Sequence, residues 1–175
     1  KQILVCFGGT DPGNLTLKTI RVVSSLAKDI RLQVILGPGF RRYEEVRSQL
    51  QGIPQVSDVT CDTRIISHYM EKSDLMITSG GRTAYEAAAV GVPTIVLCQN
   101  DRELLHVFAS EENGFCNLGL GEGVADEQLK LKIQLLMEHP DVRREMQRQM
   151  LKWDGRKGIE RVIPIILGEK RSLDC

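Results

Sequence analysis

The chain has no net charge, no apolar run approaching the roughly 20 residues that cross a bilayer, and no C-x-x-C pair. Twenty-three basic residues balance twenty-three acidic ones, so the polyanion-attracting surface of a nucleic-acid-binding protein is not expected. The five cysteines, Cys6, Cys61, Cys98, Cys116 and Cys175, are odd in number and scattered, and at least three lie in or beside apolar strand-like runs. That is the usage of reduced thiols in a cytoplasmic protein rather than of a disulfide framework. The three histidines, His68, His106 and His139, lack metal-ligand spacing, and no metal is expected. Gly8-Gly9-Thr10-Asp11-Pro12-Gly13 has the glycine spacing of a P-loop, but Asn14-Leu15 stand where Lys-Ser/Thr must hold phosphate and Mg²⁺. No G-x-G-x-x-G follows the first strand, so the dinucleotide fingerprint is absent as well. No leader peptide opens the chain, and Lys1 rather than Met precedes a strand starting at residue 3, which reads as a cut within a longer protein.

What is present is an alternation of strand-like and helix-like stretches over 175 residues, read as one domain over 1–170 with a core that needs no staples. Strands are expected at Ile3–Phe7, Leu32–Leu36, Ile53–Val59, Leu75–Thr78, Thr94–Cys98 and Phe115–Leu118. Helices are expected at Asn14–Lys28, Arg41–Leu50, Thr63–Lys72, Thr83–Val90, Arg102–Glu111, Glu127–Met137, Asp141–Leu151 and Ile159–Leu167, the last accommodating Pro164 awkwardly. Strands alternating with helices at this pace imply right-handed βαβ units. The fold class is therefore α/β, a Rossmann-like doubly wound parallel sheet of about six strands.

Two loops stand out: Gly8-Gly9-Thr10 after the first strand and Ser79-Gly80-Gly81 after the fourth. Paired glycines at the carboxyl end of a parallel strand let backbone N–H groups approach an anion, and the following helix N-terminus adds a favourable dipole. If the strand order is 3-2-1-4-5-6, strands one and four are neighbours at the switch point where such folds bind ligands. The two loops then make one shared diphosphate site. Tight βα turns also need glycine for geometry alone, and only the pairing of the loops lifts them above that reading.

Thr83 and Glu86 carry two readings. Thr-x-x-Glu is the spacing of a capping box, in which both side chains satisfy orphan N–H groups at a helix start. Alternatively Arg82 and Thr83 face phosphate while Glu86 points into the cleft, where a carboxylate accepts two hydrogen bonds from paired ribose hydroxyls.

The run Ser79-Gly80-Gly81-Arg82-Thr83-Ala84-Tyr85-Glu86-Ala87, followed by Gly91-Val92-Pro93-Thr94-Ile95-Val96, resembles the donor-binding motif in the C-terminal half of GT-B glycosyltransferases of the family-28 type. The opening Phe7-Gly8-Gly9-Thr10-Asp11-Pro12 with Asn14-Leu15-Thr16 is similar to the UDP-sugar hydrolases of the pseudaminic acid pathway and to spore-coat polysaccharide proteins. The resemblance spans roughly residues 1 to 120. It implies that Glu86 holds the ribose hydroxyls, that Gly80, Gly81, Arg82 and Thr83 line the diphosphate above Ser79, and that Gly8, Gly9 and Thr10 close over it. It implies further that the backbone near Thr63 and Arg64 contacts uracil and that Gln99, Asn100 and Asp101 face the donor sugar. A UDP-sugar would be the substrate, with no cofactor. GT-B proteins bind the donor between two Rossmann-like domains, and the hydrolase-type relatives carry a catalytic histidine in a Gly-His motif of the N-terminal one. Neither that motif nor that domain is present, so no catalytic residue is assigned. The chain resembles the donor-holding half of a glycosyltransferase or UDP-sugar hydrolase; a non-catalytic module working with a partner, or fused to a sugar cytidylyltransferase, is the alternative.

Overall fold

The structure, a computed structural model, describes residues 1–26, 29–51, 53 and 55–168. Cys175, the expected helix end at Ala27–Lys28, Pro54 of the expected third strand and residues 169–170 of the expected domain lie outside them. Six strands, β1 (Gln2–Cys6), β2 (Arg31–Leu36), β3 (Val56–Cys61), β4 (Leu75–Thr78), β5 (Thr94–Cys98) and β6 (Phe115–Leu120), form one parallel sheet in the order β3-β2-β1-β4-β5-β6. This is the expected doubly wound order. The helices between strands are α1 (Leu15–Ser24), α2 (Tyr43–Leu50), α3 (Ile66–Glu71), α4 (Thr83–Val90) and α5 (Asp101–Leu104), and α6 (Asp126–Glu138), α7 (Pro140–Lys152) and α8 (Gly158–Ile166) follow β6.

Side chains alternate across each strand, so the sheet buries two faces. Ile3, Val5, Leu32, Val34, Ile77 and Ile95 meet Leu17, Ile20 and Val23 of α1, Val46 of α2 and Leu129, Ile133 and Leu136 of α6. On the other face Leu4, Cys6 and Met76 pack with Met70 of α3 and Ala87 of α4, while Ala84 and Ala88 of α4 pack with Val96, Phe115 and Met150 of α7. The alanines explain why α4 lies close to the sheet: small side chains on its buried face let the backbone approach.

Three expectations are corrected. No continuous helix covers Arg102–Glu111; one turn at α5 is followed by a loop to a 3₁₀ turn at Glu111–Asn113, because tertiary hydrogen bonds described below take over from the helical ladder. The helix after the third strand starts at Ile66 rather than Thr63, since Thr63 Oγ1 accepts from Ile65 N (3.2 Å) and offers the backbone a competing local turn. The third strand is displaced toward Cys61, although Gln55 O already accepts from Leu32 N at 2.7 Å. At the other end of the chain, α8 contains Pro164 and buries none of its residues; Ile159, Ile165 and Ile166 are largely exposed. Among the described residues no helix is long and apolar enough to cross a membrane.

Candidate functional site

The sheet order brings the carboxyl ends of β1, β4 and β5 side by side, and polar ties cross between them. Thr78 Oγ1 at the end of β4 donates to Cys6 O of β1 at 2.6 Å. Gln99, just beyond β5, reaches over β4 to donate from Nε2 to Phe7 O at 2.9 Å. The predicted residues of all three loops therefore stand on one edge.

The two glycine loops are not equivalent. In the first, Asp11 turns back in a left-handed conformation (φ 44°) and its buried carboxylate accepts from Leu15 N and Thr16 N, each at 2.9 Å. The N-terminus of α1 thus already holds an anion, the protein's own. Gly8 N–H faces the Cys6 sulfur, and Gly9 O accepts from Gly39 N at 2.9 Å; Gly9 and Thr10 remain exposed. This loop shapes the edge of the site, while its helix dipole is spent on Asp11. Replacing Asp11 with Ala leaves two buried amides unsatisfied, and an equilibrium denaturant titration should show a loss of about 1–3 kcal/mol.

The second loop is open. Helix α4 begins at Thr83 with Arg82 at the cap position and no side-chain cap bond. Ala84 N and Tyr85 N bond to Gly81 O and Arg82 O, leaving the N–H groups of Gly81, Arg82 and Thr83 without protein partners among the described residues. The capping-box geometry is therefore not formed. Glu86, one turn along the same face as Thr83, is exposed and makes no hydrogen bond or ion pair with a described residue. Its charge is nevertheless felt at the end of β1: burial, above all, pushes the Cys6 thiol up to about 11, the contact with Gly8 N–H works against that, and Glu86 and Asp11 add to the rise. The first turn of α4 thus carries an exposed carboxylate and three amides that have no protein partner among the described residues.

Other predicted residues have defined tasks within the fold. Ser79 is buried at the base of the loop. Gly80 N is taken, donating to Glu103 Oε2 at 3.1 Å, and Gly80 O accepts from His106 Nδ1 at 2.9 Å. Asn100 Oδ1 caps α5 by accepting from Glu103 N (3.1 Å), while Asp101 is exposed. The Gln99 Oε1 atom is buried and unpartnered. Thr63 and Arg64 sit in the turn between β3 and α3, and α3 packs against α4; no hydrogen bond links them to residues 79–86 among the described residues. Sequence reasoning missed Glu103, His106 and Gly37. A Cβ on Gly37 would lie 2.2 Å from Gly8 O, so the β2 loop presses directly on the first glycine loop. The doubled glycine of Gly37-Pro38-Gly39 was the available signal. Among the described residues no group of three or more His, Cys, Asp or Glu side chains is placed to hold a metal ion.

The family model of the glycosyltransferase family 28 C-terminal domain matches residues 3–162. The chain is 30% identical over 169 residues to the spore coat polysaccharide biosynthesis protein SpsG of Bacillus subtilis, covering 95% of this chain and 50% of that protein. It is 37% identical over 103 residues to an uncharacterized protein of Methanocaldococcus jannaschii, covering 58% of this chain and 21% of that one. Among solved structures, MurG of Acinetobacter baumannii superposes with a TM-score of 0.72 at 17% identity, over 86% of this chain and 45% of that one. The chain thus spans half or less of the curated relatives it matches.

Proposed function

Since the chain belongs to the glycosyltransferase family 28 C-terminal domain family, we propose that it is the donor-binding half of a two-domain protein of polysaccharide biosynthesis, and that its ligand is a UDP-sugar. The observation that carries this reading is the uncapped N-terminus of α4 at the switch point, with Glu86 unpaired one turn along. The diphosphate sits on the amides of Gly81, Arg82 and Thr83, where the helix dipole favours negative charge. Glu86 accepts from the two ribose hydroxyls. The backbone near Thr63 and Arg64 faces the base, and the loop Gln99–Asp101 faces the sugar. When the sugar leaves, charge accumulates on the diphosphate, and preoriented amides stabilise it without reorganisation.

A second, N-terminal Rossmann-like domain supplies the acceptor side and the general base. Transfer and hydrolysis of the sugar differ only in what attacks the anomeric carbon, and that group comes from the other domain. Leu105 and Val107, on the loop beyond β5 at the rim of the site, are 78% and 84% exposed, as befits a face that closes against another domain. The same feature is compatible with a degenerate, non-catalytic module that has lost its nucleotide and is paired with a separate subunit, and UDP binding would exclude that alternative. Calorimetric titration of the chain should show UDP binding more tightly than CDP and far more tightly than pyrophosphate. Equal binding of all three would reduce the site to a generic anion seat.

A further inference from the structure

The loop after β5 does more than border the site. Glu103 Oε2 accepts from both Gly80 N (3.1 Å) and Gln99 N (2.8 Å), and His106 Nδ1 donates to Gly80 O (2.9 Å), so the two peptide groups that flank the Gly80 Cα are each held, one by its N–H and the other by its C=O. The fit is tight at Gly80, where a Cβ would stand 3.0 Å from Cys98 Sγ and 3.2 Å from Glu103 O, and looser at Gly81, where one would stand 3.4 Å from Glu103 Oε1. Farther along, Phe108 stacks on Tyr85 of α4 (centroids 4.2 Å apart, planes 9° apart) and Trp153 leans on Phe108 at 4.7 Å. Asn117 Nδ2 donates to Ala109 O at 2.7 Å. Residues 99–109 therefore form a strap fastened at one end to the glycine loop and at the other to the helix whose N-terminus that loop opens.

A carboxylate in this place is electrostatically adverse to an anionic ligand on the neighbouring amides. What offsets the repulsion is one oxygen atom that fixes two backbone amides at once. We propose that Glu103 is a positioning residue of the donor site: by gripping Gly80 and Gln99 it aims the amides of Gly81, Arg82 and Thr83 at the diphosphate, with His106 steadying the next peptide, the one that carries Gly81 N–H. The inference rests on the diphosphate reading above and adds to it the device that preorganises the donors.

The test separates the oxygen from the charge. Glu103→Gln keeps an acceptor oxygen and removes the charge; Glu103→Ala removes both. UDP should bind Glu103→Gln several-fold more tightly than the unmodified chain and Glu103→Ala at least five-fold more weakly, although both variants have lost the same negative charge. If Glu103 were only a nearby charge, both substitutions would tighten binding, and that result overturns the proposal. Amide hydrogen exchange of the unliganded proteins is read in parallel: Gly80 and Gln99 should exchange faster in Glu103→Ala and at the unmodified rate in Glu103→Gln. Unchanged exchange in Glu103→Ala overturns the clamp whatever binds. An unmodified chain that ignores UDP while the exchange pattern holds defeats the diphosphate reading and leaves the clamp standing.

Discussion

UDP should bind the Glu86→Ala variant at least ten-fold more weakly than the unmodified chain, while the melting temperature should stay within about 1 °C. The first half follows from hydrogen bonding: a carboxylate accepting from two ribose hydroxyls contributes roughly 1.5–3 kcal/mol, and each 1.4 kcal/mol is a factor of about ten in affinity. The second half follows from its surroundings, since Glu86 is exposed and has no protein partner among the described residues whose loss could unfold anything. The sign is informative in itself. Removing a negative charge beside a diphosphate relieves repulsion, so a net loss of affinity requires direct contacts that outweigh it. A 2′-deoxy analogue of UDP provides the complementary arm: its binding to the unmodified chain should be weakened, and the Glu86→Ala substitution should then cost much less. A variant that instead loses about 1 kcal/mol of stability with UDP affinity intact would restore the capping role suggested by the Thr83-x-x-Glu86 spacing.

Gly37→Ala should destabilise the chain by at least about 2 kcal/mol in a denaturant titration, whereas Gly9→Ala should stay within about 0.5 kcal/mol of the parent. Both glycines lie in turns that follow strands, and their environments are opposite. A methyl group at Gly37 would stand 2.2 Å from Gly8 O, 2.6 Å from Gly9 Cα and 2.8 Å from Gly9 O, all backbone atoms that move only if the first glycine loop moves. At Gly9 the same methyl meets nothing within 4 Å and the backbone angle is ordinary. Equal effects at the two positions would mean that the β2 loop does not press on the β1 loop as the structure has it.

The architecture was legible because its signals were local and repeated. The continuous apolar run Thr94–Cys98 is β5, buried on both faces, and the break at Pro140 separates α6 from α7. Helical spacing marked α1 and alanine-rich composition marked α4, and the alternation of elements implied a parallel sheet, whose order was taken as the common doubly wound one and is the order found. The site was legible only to the resolution of its loops. Two glycine pairs look alike in sequence, but Asp11 and Asn14 adopt left-handed conformations that swing the Asp11 carboxylate onto α1. No periodicity encodes that turn, although Asp-Pro-Gly-Asn is rich in residues that tolerate it. The stretch Arg102–Glu111 has helical composition and loses its helix to contacts with Gly80 and Tyr85, about 25 residues away in sequence. Glu103 and His106 therefore escaped a reading that proceeds segment by segment, because what they do depends on the strand order and not on their neighbours in the chain.

The difference between the two loops is also the place to test the assignment of the anion seat. A ¹⁵N-labelled sample titrated with UDP and followed amide by amide should show its largest shifts at Gly81, Arg82 and Thr83, with Leu15 N and Thr16 N, already bonded to Asp11, nearly unmoved. Shifts centred on Leu15 and Thr16, or a spectrum unmoved by millimolar UDP, would contradict a diphosphate seat at the N-terminus of α4.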